Sequence, residues 1–592
     1  MTPNDSIKWR TRLSYEIQDD GTPALFLQGA SENNCNPGFR SANYRTSSFA
    51  FPFWPVARTS TNTNQYFCGV IKPGTVALNN VPTPVLFRSS PFAPFGTRTL
   101  DGTPIDGYYK KRWFLTSGLD ADLGDSGWST SAIVAYRNEV DRTGTDSDHS
   151  DAFVFFNLNP VIGGTAPNLL TDLPAFTNTH RSKVEDISAE LKLSTPKDKP
   201  IRGLFGAYFY DYSLEDRIVD FATIPDGVPF GGPGSYRERI HNASVFGSIA
   251  VDITDGLTLT AEGRYLTEKK TRQEFVAPGS QLYSGPDTKD FIPRVTLDWK
   301  PDDTTLVYAI YSEGNKPGGT NASAGASIGR PQYLPETLRG GEFGIKKTMF
   351  NNRVQANIAI YYNKLQNVQL TTALPVGGGA LTSVATNQGD ATSKGFEVEL
   401  TVKPAKPLTL NLGVAYTDSR FTSGCDDFEY TLNTGGRLIS NAANPTAAEA
   451  PLCSIAGNRL PLGSPWQANG AVDFRTPITS AMEVFANVNG SYESSKFVQV
   501  HNLAETGDTF LLNARLGVGG EQWELALFGR NLTDEDSIPL ATRWFDLRYG
   551  IGVSPTQPAN TAALAYDRSF PRAFFGALRK GRTFGAEAKF KF

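Results

Sequence analysis

The sequence predicts an all-β protein, a transmembrane antiparallel β-barrel with about nineteen strands, and three observations support this prediction. Segments of alternating apolar and polar residues recur along most of the 592-residue chain. The turns between them are alternately short and long, as in outer-membrane barrels with tight periplasmic turns and extended extracellular loops. No stretch approaches eighteen consecutive apolar residues, so no transmembrane helix is predicted.

The composition agrees with a barrel whose inner wall is polar. Hydrophobic residues make up 39% of the chain and charged residues 20%, and the mean hydropathy is −0.30. In a membrane β-strand only alternate side chains face lipid, so each segment is only half apolar. The net charge is −4 and the sequence contains no basic domain or stripe, which argues against a nucleic-acid partner.

The last twelve residues, 581–592, show the alternation most clearly. Phe584, Phe590 and Phe592 fall on one face together with two alanines, and Glu587, Lys589 and Lys591 fall on the other face. This pattern favours a membrane strand with one face toward hydrocarbon and the other toward water. The alternative is an amphipathic edge strand of a soluble β-protein.

The first predicted hairpin joins residues 6–17 to 23–28 through Asp19-Asp20-Gly21, a tight-turn signal. The strands that follow are predicted at 111–123, 128–138, 184–194, 201–212, 241–253, 257–267, 292–300, 304–312, 338–347, 353–367, 392–402, 408–417, 466–474, 482–492, 510–518, 522–532 and the closing segment. The count is odd. If the chain ends in the periplasm, the first strand is therefore predicted to run from outside to the periplasm.

The alternation also predicts which side chains face lipid. A Lys or Arg at the lipid midplane costs roughly 2–4 kcal/mol, so the charged faces of these strands are expected to line the lumen. Tyrosines near the strand ends are predicted to form interfacial girdles. They are Tyr208, Tyr210, Tyr308, Tyr311, Tyr361, Tyr362, Tyr416 and Tyr492.

Long extracellular loops are predicted near 31–110, 140–181, 422–463 and 535–579. Within them the four cysteines form two local pairs, Cys35 with Cys68 and Cys425 with Cys453. These pairs are predicted to be loop disulfides of an oxidising compartment, and free thiols are the alternative. No CxxC or Cys/His spacing of a zinc site occurs.

Several stretches carry a resemblance to a known family. In order they are DISAELKLS (186–194), SVFGSIAVDITDGLTLTAEGRYLTEK (244–269), YAIYSEGNKPGGTN (308–321), LPETLRGGEFGIK (334–346), NQGDATSKGFEVE (387–399), LPLGSPWQAN (460–469), FGRNLTD (528–534) and the closing GRTFGAEAKFKF. Together they resemble the C-terminal barrel of TonB-dependent outer-membrane receptors. Residues 1–592 are accordingly predicted to form one such barrel.

The resemblance implies a barrel of the 22-strand receptor type in the outer membrane of a Gram-negative bacterium. Barrel-assembly machinery would read the closing strand through Phe584, Phe590 and Phe592, outer-membrane lipid would surround the barrel, and the TonB complex would supply energy. Family members also have a signal peptide, a TonB-binding box and a plug domain, and none of these is recognisable here. The chain is therefore predicted to begin at the fourth strand, as a truncated or misassigned product or half of a split receptor.

The function implied by the resemblance is energy-coupled uptake of a scarce, bulky nutrient, with an iron–siderophore complex as the expected ligand. The alternatives are a passive diffusion channel, a non-transporting fragment and a surface adhesin. No enzyme is predicted, because the four histidines are scattered and no HExxH or GxSxG motif occurs. No cofactor is expected, and the acidic run at 146–151 lacks the Gly and Glu that an EF-hand loop requires.

Two aromatic segments are candidates for ligand contact. Phe51, Phe53 and Trp54 lie in the first long loop, where an exposed aromatic surface would stack on a sugar, a polyphenol or an aromatic siderophore. Arg543, Trp544 and Arg548 mix charge and aromatic character in the last long loop. The alternative for both segments is packing of a long loop against its neighbours.

Overall fold

A computed structural model describes residues 6–21, 25–28, 69–72, 107–146, 154–157, 170–173, 177–220, 235–276, 278–375, 381–434, 439, 444–545 and 572–590. The described part is dominated by long strands, because alternating and β-branched sequences suit a pleated sheet with two different faces. None of the helices found there has the length and apolarity of a membrane span.

The first fifteen strands, in chain order, are β1 (Ile7–Asp20), β2 (Leu25–Gln28), β3 (Gly69–Ile71), β4 (Gly107–Asp122), β5 (Ser129–Asp146), β6 (Val154–Asn157), β7 (Leu170–Leu173), β8 (Thr177–Ser194), β9 (Ile201–Asp220), β10 (Ser235–Thr254), β11 (Leu257–Val276), β12 (Gly279–Ser284), β13 (Thr288–Asp302), β14 (Thr305–Lys316) and β15 (Gly319–Thr320). A 3-10 turn at Gly124–Ser126 separates β4 from β5.

The remaining strands are β16 (Gln332–Tyr333), β17 (Glu336–Met349), β18 (Val354–Gln366), β19 (Gln369–Pro375), β20 (Leu381–Asn387), β21 (Ala391–Ala405), β22 (Leu408–Phe421), β23 (Trp466–Pro477), β24 (Glu483–Glu493), β25 (Ala504–Thr506), β26 (Thr509–Gly519), β27 (Trp523–Arg530), β28 (Ala541–Phe545), β29 (Arg572–Ala577) and β30 (Thr583–Phe590). The described helices are α1 (Ala322–Ala326), α2 (Asp427–Thr434) and α3 (Ala450–Cys453).

Nineteen of these strands form one antiparallel sheet, which confirms the predicted all-β barrel fold and its strand number. The registers place the strands in the order β1, β4, β5, β8, β9, β10, β11, β13, β14, β17, β18, β21, β22, β23, β24, β26, β27 and β30. The short β12 pairs with β11 beyond the end of β13. In the described residues, β1 and β30 are the edges of this sheet.

Short turns lie at one end of the sheet and long connections at the other. Turns of a few residues join β4 to β5, β10 to β11 and β26 to β27, whereas tens of residues separate β1 from β4 and β27 from β30. We call these the short-turn end and the long-connection end. Strand direction therefore shows at which of these two ends each strand begins and ends.

The predicted hairpin between residues 6–17 and 23–28 is wrong. β1 pairs with β4 along its whole length, from Ile7 opposite Ala121 to Asp20 opposite Tyr108. Residues 25–28 instead form β2, which pairs with β29 in a separate three-stranded sheet. A fourteen-residue ladder with β4 satisfies far more backbone groups than a four-residue partner could, so it overrides the local turn signal. β1 therefore runs toward the long-connection end, opposite to the predicted direction.

The outward face of the sheet is apolar. Exposed large apolar side chains recur at alternate positions, as in Trp113, Leu115 and Leu119 of β4 and Ile358 and Ile360 of β18. We call this surface the apolar band. The opposite, lumenal face carries ion pairs between strands, such as Arg112 with Glu16.

The predicted tyrosine girdle is only half right, because the pleat assigns each side chain to one of two faces. Strand parity puts Tyr311, Tyr362, Tyr416 and Tyr492 on the outward face, the first two being 46% exposed. It puts Tyr208, Tyr210, Tyr308 and Tyr361 on the lumenal face. Tyr308, for example, donates a hydrogen bond of 2.7 Å to the lumenal Glu342.

The long connections contain ordered structure of their own. Residues from several of them form a small apolar cluster, whose members are Phe26, Ile71, Val498, Ala504, Ile538, Ala541 and Phe574. Side-chain amides link other connections, since Asn321 both donates to and accepts from the backbone of Ala385 at 2.8 Å. These contacts link the connections to one another.

A disulfide joins Cys425 to Cys453 and ties α2 to α3. The two cysteines are 28 positions apart in the sequence, and the Cys453 side chain is fully buried. Next to it, Ile455 packs with Phe421 in a second apolar cluster. The predicted partners Cys35 and Cys68 lie outside the described residues.

Removing this disulfide is expected to loosen the segment between the two cysteines. Closing a loop of this length contributes on the order of 3–4 kcal/mol through chain entropy. The double substitution Cys425→Ser and Cys453→Ser should therefore make residues 426–452 readily cleaved by a protease, while the barrel strands stay intact. Limited proteolysis with mass mapping checks this, and equal cleavage of wild type and variant would contradict it.

The same segment contains a carboxyl group whose titration is shifted by burial. Desolvation raises the pKa of Glu429 to about 7, reinforced by the charge of Asp426 and opposed by a hydrogen bond from Asn433. Because the folded pKa lies above the unfolded one, stability from this group is highest below about pH 4.5 and is lost as the pH rises to about 7. The loss is at most about 3 kcal/mol.

Hydrogen exchange of α2 between pH 5 and pH 8 checks this linkage. After correction for intrinsic exchange rates, protection in the wild type should fall as the pH rises. In Glu429→Gln the dependence should weaken to what the buried Asp427 of α2 contributes, whose pKa is also raised by desolvation, whereas the control Glu449→Gln should retain the wild-type dependence. A wild-type profile that is flat across this range would rule out the linkage.

Candidate functional site

Three tyrosines of β9 line the lumen in a column. Tyr208, Tyr210 and Tyr212 occupy every second position, so their side chains share one face of the strand. Phe205 and Phe209 alternate with them and point outward, 51% and 46% exposed. The rings of Tyr210 and Tyr212 are stacked, with their centroids 6.3 Å apart. The column is therefore an aromatic strip that runs up the inner wall.

Arginines of β11 reach tyrosine rings of β9 and of the intervening strand β10. The guanidinium carbon of Arg264 lies 5.3 Å from the centroid of Tyr208. The guanidinium carbon of Arg272 lies 3.6 Å from the centroid of the Tyr236 ring on β10. Both are cation–π geometries. We call the four tyrosines and two arginines the lumenal tyrosine wall.

A buried acid holds one tyrosine of the wall, Tyr236, in position. Asp216 is only 3% exposed and accepts hydrogen bonds from the Tyr236 hydroxyl and from the His180 ring. Nearby, Arg137 donates to Asp186 at 2.6 Å on the same lumenal face. Side chains fixed in this way do not need to be ordered when a ligand arrives, so less free energy is lost on binding.

A second lumenal feature is a diagonal path of amides. Asn513 donates to Asn489 at 2.9 Å, Asn489 donates to Asn487 at 3.0 Å, and Asn487 donates to Asp473. At the long-connection end, the backbone N–H of Asn531 donates to Asn513 at 2.9 Å. The path itself is neutral except for one carboxylate, and it offers hydrogen bonds to a ligand on this side of the lumen.

A network of ion pairs lies on the lumenal wall toward the short-turn end. Glu524 of β27 accepts from Arg515, and its other contacts are with Arg475 at 3.5 Å and Lys589 at 4.0 Å. Arg515 also donates to Glu587 at 2.9 Å. The network links four strands, including the closing strand β30. Its compensated charges and strand-to-strand contacts indicate a structural role.

Aromatic, charged and amide side chains line the described lumen. In the part of the chain that the structure describes, no group of three His, Cys, Asp or Glu side chains is placed to hold a metal ion. Aromatic rings with adjacent guanidinium groups suit ligands that combine flat or apolar faces with negative charge.

The sequence-predicted ligand residues meet the structure only in part. Arg543 and Trp544 lie in β28, a strand that pairs with β29 inside the predicted last long loop. Phe51, Phe53, Trp54 and Arg548 lie outside the described residues. Their role in binding stays a prediction.

In the closing strand, Phe584 and Phe590 lie in β30 and are 72% and 65% exposed on the outward face. Phe592 lies outside the described residues. Their recognition by assembly machinery stays a prediction. The tyrosine wall itself was not predicted, although tyrosines at every second position of YFYDY (208–212) were a signal for it.

Comparison with known proteins identifies the family of the fold. A family model described as TonB dependent receptor-like, beta-barrel, matches residues 8–532. The ferric-pyoverdine BN7/BN8 receptor of Pseudomonas putida is 24% identical over 362 residues, which are 57% of this chain and 41% of that protein. The metal-pseudopaline receptor CntO of Pseudomonas aeruginosa is 24% identical over 231 residues, 36% of this chain and 30% of that protein.

Among solved structures, the siderophore receptor PiuA of Acinetobacter baumannii superposes with a TM-score of 0.56 at 14% identity. The match covers 98% of this chain and 72% of PiuA. At this identity the likeness shows the fold alone. The chain spans less than half the length of the two curated relatives that it matches.

Proposed function

Because this chain belongs to the TonB-dependent receptor β-barrel family, we propose that it is an outer-membrane receptor for energy-coupled uptake of a bulky metal chelate, with an iron–siderophore complex as its ligand. The lumenal tyrosine wall is the observation that carries this proposal. The two curated relatives are, by their names, receptors for a ferric and a metal chelate.

The chemistry of such a ligand fits the wall. Iron(III) is a hard ion that takes oxygen donors, so its chelates carry negative charge on catecholate, hydroxamate or carboxylate groups. Arg264 and Arg272 offer positive charge directly beside tyrosine rings. An anionic chelate with flat faces can contact both kinds of group at once.

The proposal includes the membrane and the energy source. The apolar band suits the hydrocarbon of the outer membrane, and the polar lumen suits a water-filled path. Family members work with TonB, and we extend this partner to the present chain. Insertion by the barrel-assembly machinery through the closing strand is part of the same proposal.

Uptake by cells tests the proposal. A strain that lacks this gene and the same strain complemented with it would be grown without iron and supplied with radioactive iron on catecholate, hydroxamate or mixed carboxylate siderophores. We expect the gene to restore uptake of one class, and a TonB deletion to abolish that gain.

Two results would overturn the proposal. One is unchanged uptake of every chelate although the protein is found in the outer-membrane fraction. The other is uptake that persists without TonB and rises linearly with ligand concentration, which would show a diffusion channel instead.

A further inference from the structure

A hollow in the lumenal wall lies on β24, β26, β27 and β30, which are not strands of the tyrosine wall. Its volume is about 470 Å³. Leu525 and Leu527 of β27 face outward, so Phe528 and Arg530 of the same strand face the lumen. We call this place the lumenal hollow. The hydrogen-bonding side chains that line it are Asn487, Asn489, Asn513, Arg515, Arg530 and Glu587.

Arg530 is the exposed, uncompensated cation of the lumenal hollow. In the part of the chain that the structure describes, its side chain has neither a carboxylate partner nor a hydrogen bond. Arg515, by contrast, contacts both Glu524 and Glu587. The five N–H groups of the Arg530 guanidinium therefore remain available to a ligand.

The Phe528 ring supports this guanidinium. The guanidinium carbon of Arg530 lies 5.1 Å from the ring centroid, which is a cation–π geometry. The ring lies close over Gly585 of β30, where a Cβ atom would be only 2.5 Å from a ring carbon. Because Arg530 is held by a ring and not by a carboxylate, it keeps its positive charge for a ligand.

Three side-chain amides of the amide path line the same hollow. Asn513 donates to Asn489 at 2.9 Å, and Asn489 donates to Asn487 at 3.0 Å. Each amide nitrogen carries two N–H groups, and these bonds use one of them. The second N–H of Asn513 and of Asn489 can therefore donate to an oxygen atom of a ligand.

The charges of the lumenal hollow favour a ligand with one negative charge. Arg515 and Glu587 compensate each other, and Arg530 adds a single positive charge. A carboxylate carries one charge, and its two oxygens match the guanidinium fork in two parallel hydrogen bonds. A phosphate group with nearly two charges would be repelled by Glu587.

We propose that the lumenal hollow binds the carboxylate of a hydroxyl-rich small molecule. Arg530 contacts the carboxylate, and the amides of Asn489 and Asn513 contact the hydroxyl groups. Such a carboxylate occurs on free hydroxy acids and on the uncoordinated arms of metal chelates. The site depends only on the described strands and does not depend on the uptake reaction.

Saturation-transfer NMR on the purified protein in detergent tests this site, because the method detects weak ligands. The probes are gluconate and gluconamide, which share their hydroxyl groups and differ in the carboxylate. We expect the wild type to bind gluconate about 10-fold more tightly than gluconamide, and Arg530→Gln to lose this preference.

A second pair of probes distinguishes the two sources of the carboxylate. Gallium(III) desferrioxamine B with a succinylated amine carries a free carboxylate arm, and the acetylated form lacks it. A preference for gluconate that requires Arg530 assigns a free hydroxy acid. A preference for the succinylated chelate alone, again requiring Arg530, assigns a chelate arm, and either result supports the site.

Three further variants serve as controls. Arg530→Lys keeps the charge without the fork and should bind gluconate about three- to fivefold more weakly than the wild type. Asn489→Ala should weaken gluconate binding about fivefold and leave acetate binding unchanged, since acetate has no hydroxyl group. Arg294→Gln removes a lumenal arginine that is paired with Glu262 at 3.3 Å, and it should bind gluconate like the wild type. Circular dichroism and heat-modified migration on gels would show that each variant is folded.

Chemical modification reads the same site in the wild type and does not depend on the folding of a variant. Phenylglyoxal reacts with accessible arginines, and mass mapping would follow the modification of Arg530. Bound gluconate should slow this reaction at least about threefold, whereas gluconamide should not. The reaction at Arg294 should be unchanged by either probe.

Three results would overturn the proposal. They are the lack of any preference for the carboxylate in both pairs of probes, an unchanged preference in Arg530→Gln, and unchanged modification of Arg530 when the preferred probe is bound. The assays need neither iron nor TonB. A failed uptake experiment would therefore leave this site standing, and a failed probe experiment would leave the uptake proposal standing.

Discussion

The double substitution Tyr208→Ala with Tyr212→Ala is expected to weaken binding of the metal chelate by about 10- to 100-fold. The reason is that rigid aromatic side chains beside arginines supply most of the binding free energy in desolvated sites. The two rings lie on the lumenal face of β9, and Arg264 is 5.3 Å from the first of them. Isothermal titration with the chelate identified by the uptake experiment would measure the change in Kd.

The matched control lies on the same strand. Phe205 and Phe209 alternate with the tyrosines and face outward, so Phe205→Ala with Phe209→Ala removes similar ring area from the opposite face. This variant should bind the chelate within about twofold of the wild type, since it leaves the lumen unchanged. Equal losses in the two double variants would show that the effect comes from β9 stability and not from ligand contact.

Glu524→Gln is expected to lower the free energy of unfolding by about 2 kcal/mol. The Glu524 carboxylate contacts Arg515, Arg475 and Lys589. The substitution removes its negative charge, so the repulsion among these three cations is less well compensated. Partial exposure to the lumen reduces the loss below that of a fully buried pair. Because the network ties β27 to β30, the closing strand should be the part of the sheet that opens first.

Denaturant unfolding in detergent, at low and at high salt, measures this change. The difference between wild type and Glu524→Gln should shrink at high salt, because partly exposed ion pairs are screened. Glu521→Gln, in the exposed turn between β26 and β27, serves as the control and should unfold like the wild type. A Glu524→Gln variant as stable as this control would show that the network is dispensable.

Local sequence pattern determined most of the barrel strands. The alternation in 354–362 and 408–416 predicted both the strands and their two faces, since the pleat has a period of two residues that needs no knowledge of neighbours. The short turn GDSG (124–127), between the predicted strands 111–123 and 128–138, was predictable for a similar reason, because a tight turn is specified by the few residues within it. In the same way, the alternation of the closing segment predicted β30.

Only the tertiary structure decided which strand lies beside which over long distances. The signal Asp19-Asp20-Gly21 is local, but β1 pairs with β4 across about 85 intervening residues, because a complete ladder satisfies more backbone groups. The tyrosine wall and the lumenal hollow arise in the same way, since each needs the registers of several strands at once. A shift of one residue would move a whole strand's side chains to the other face, and no local pattern specifies that register between distant segments.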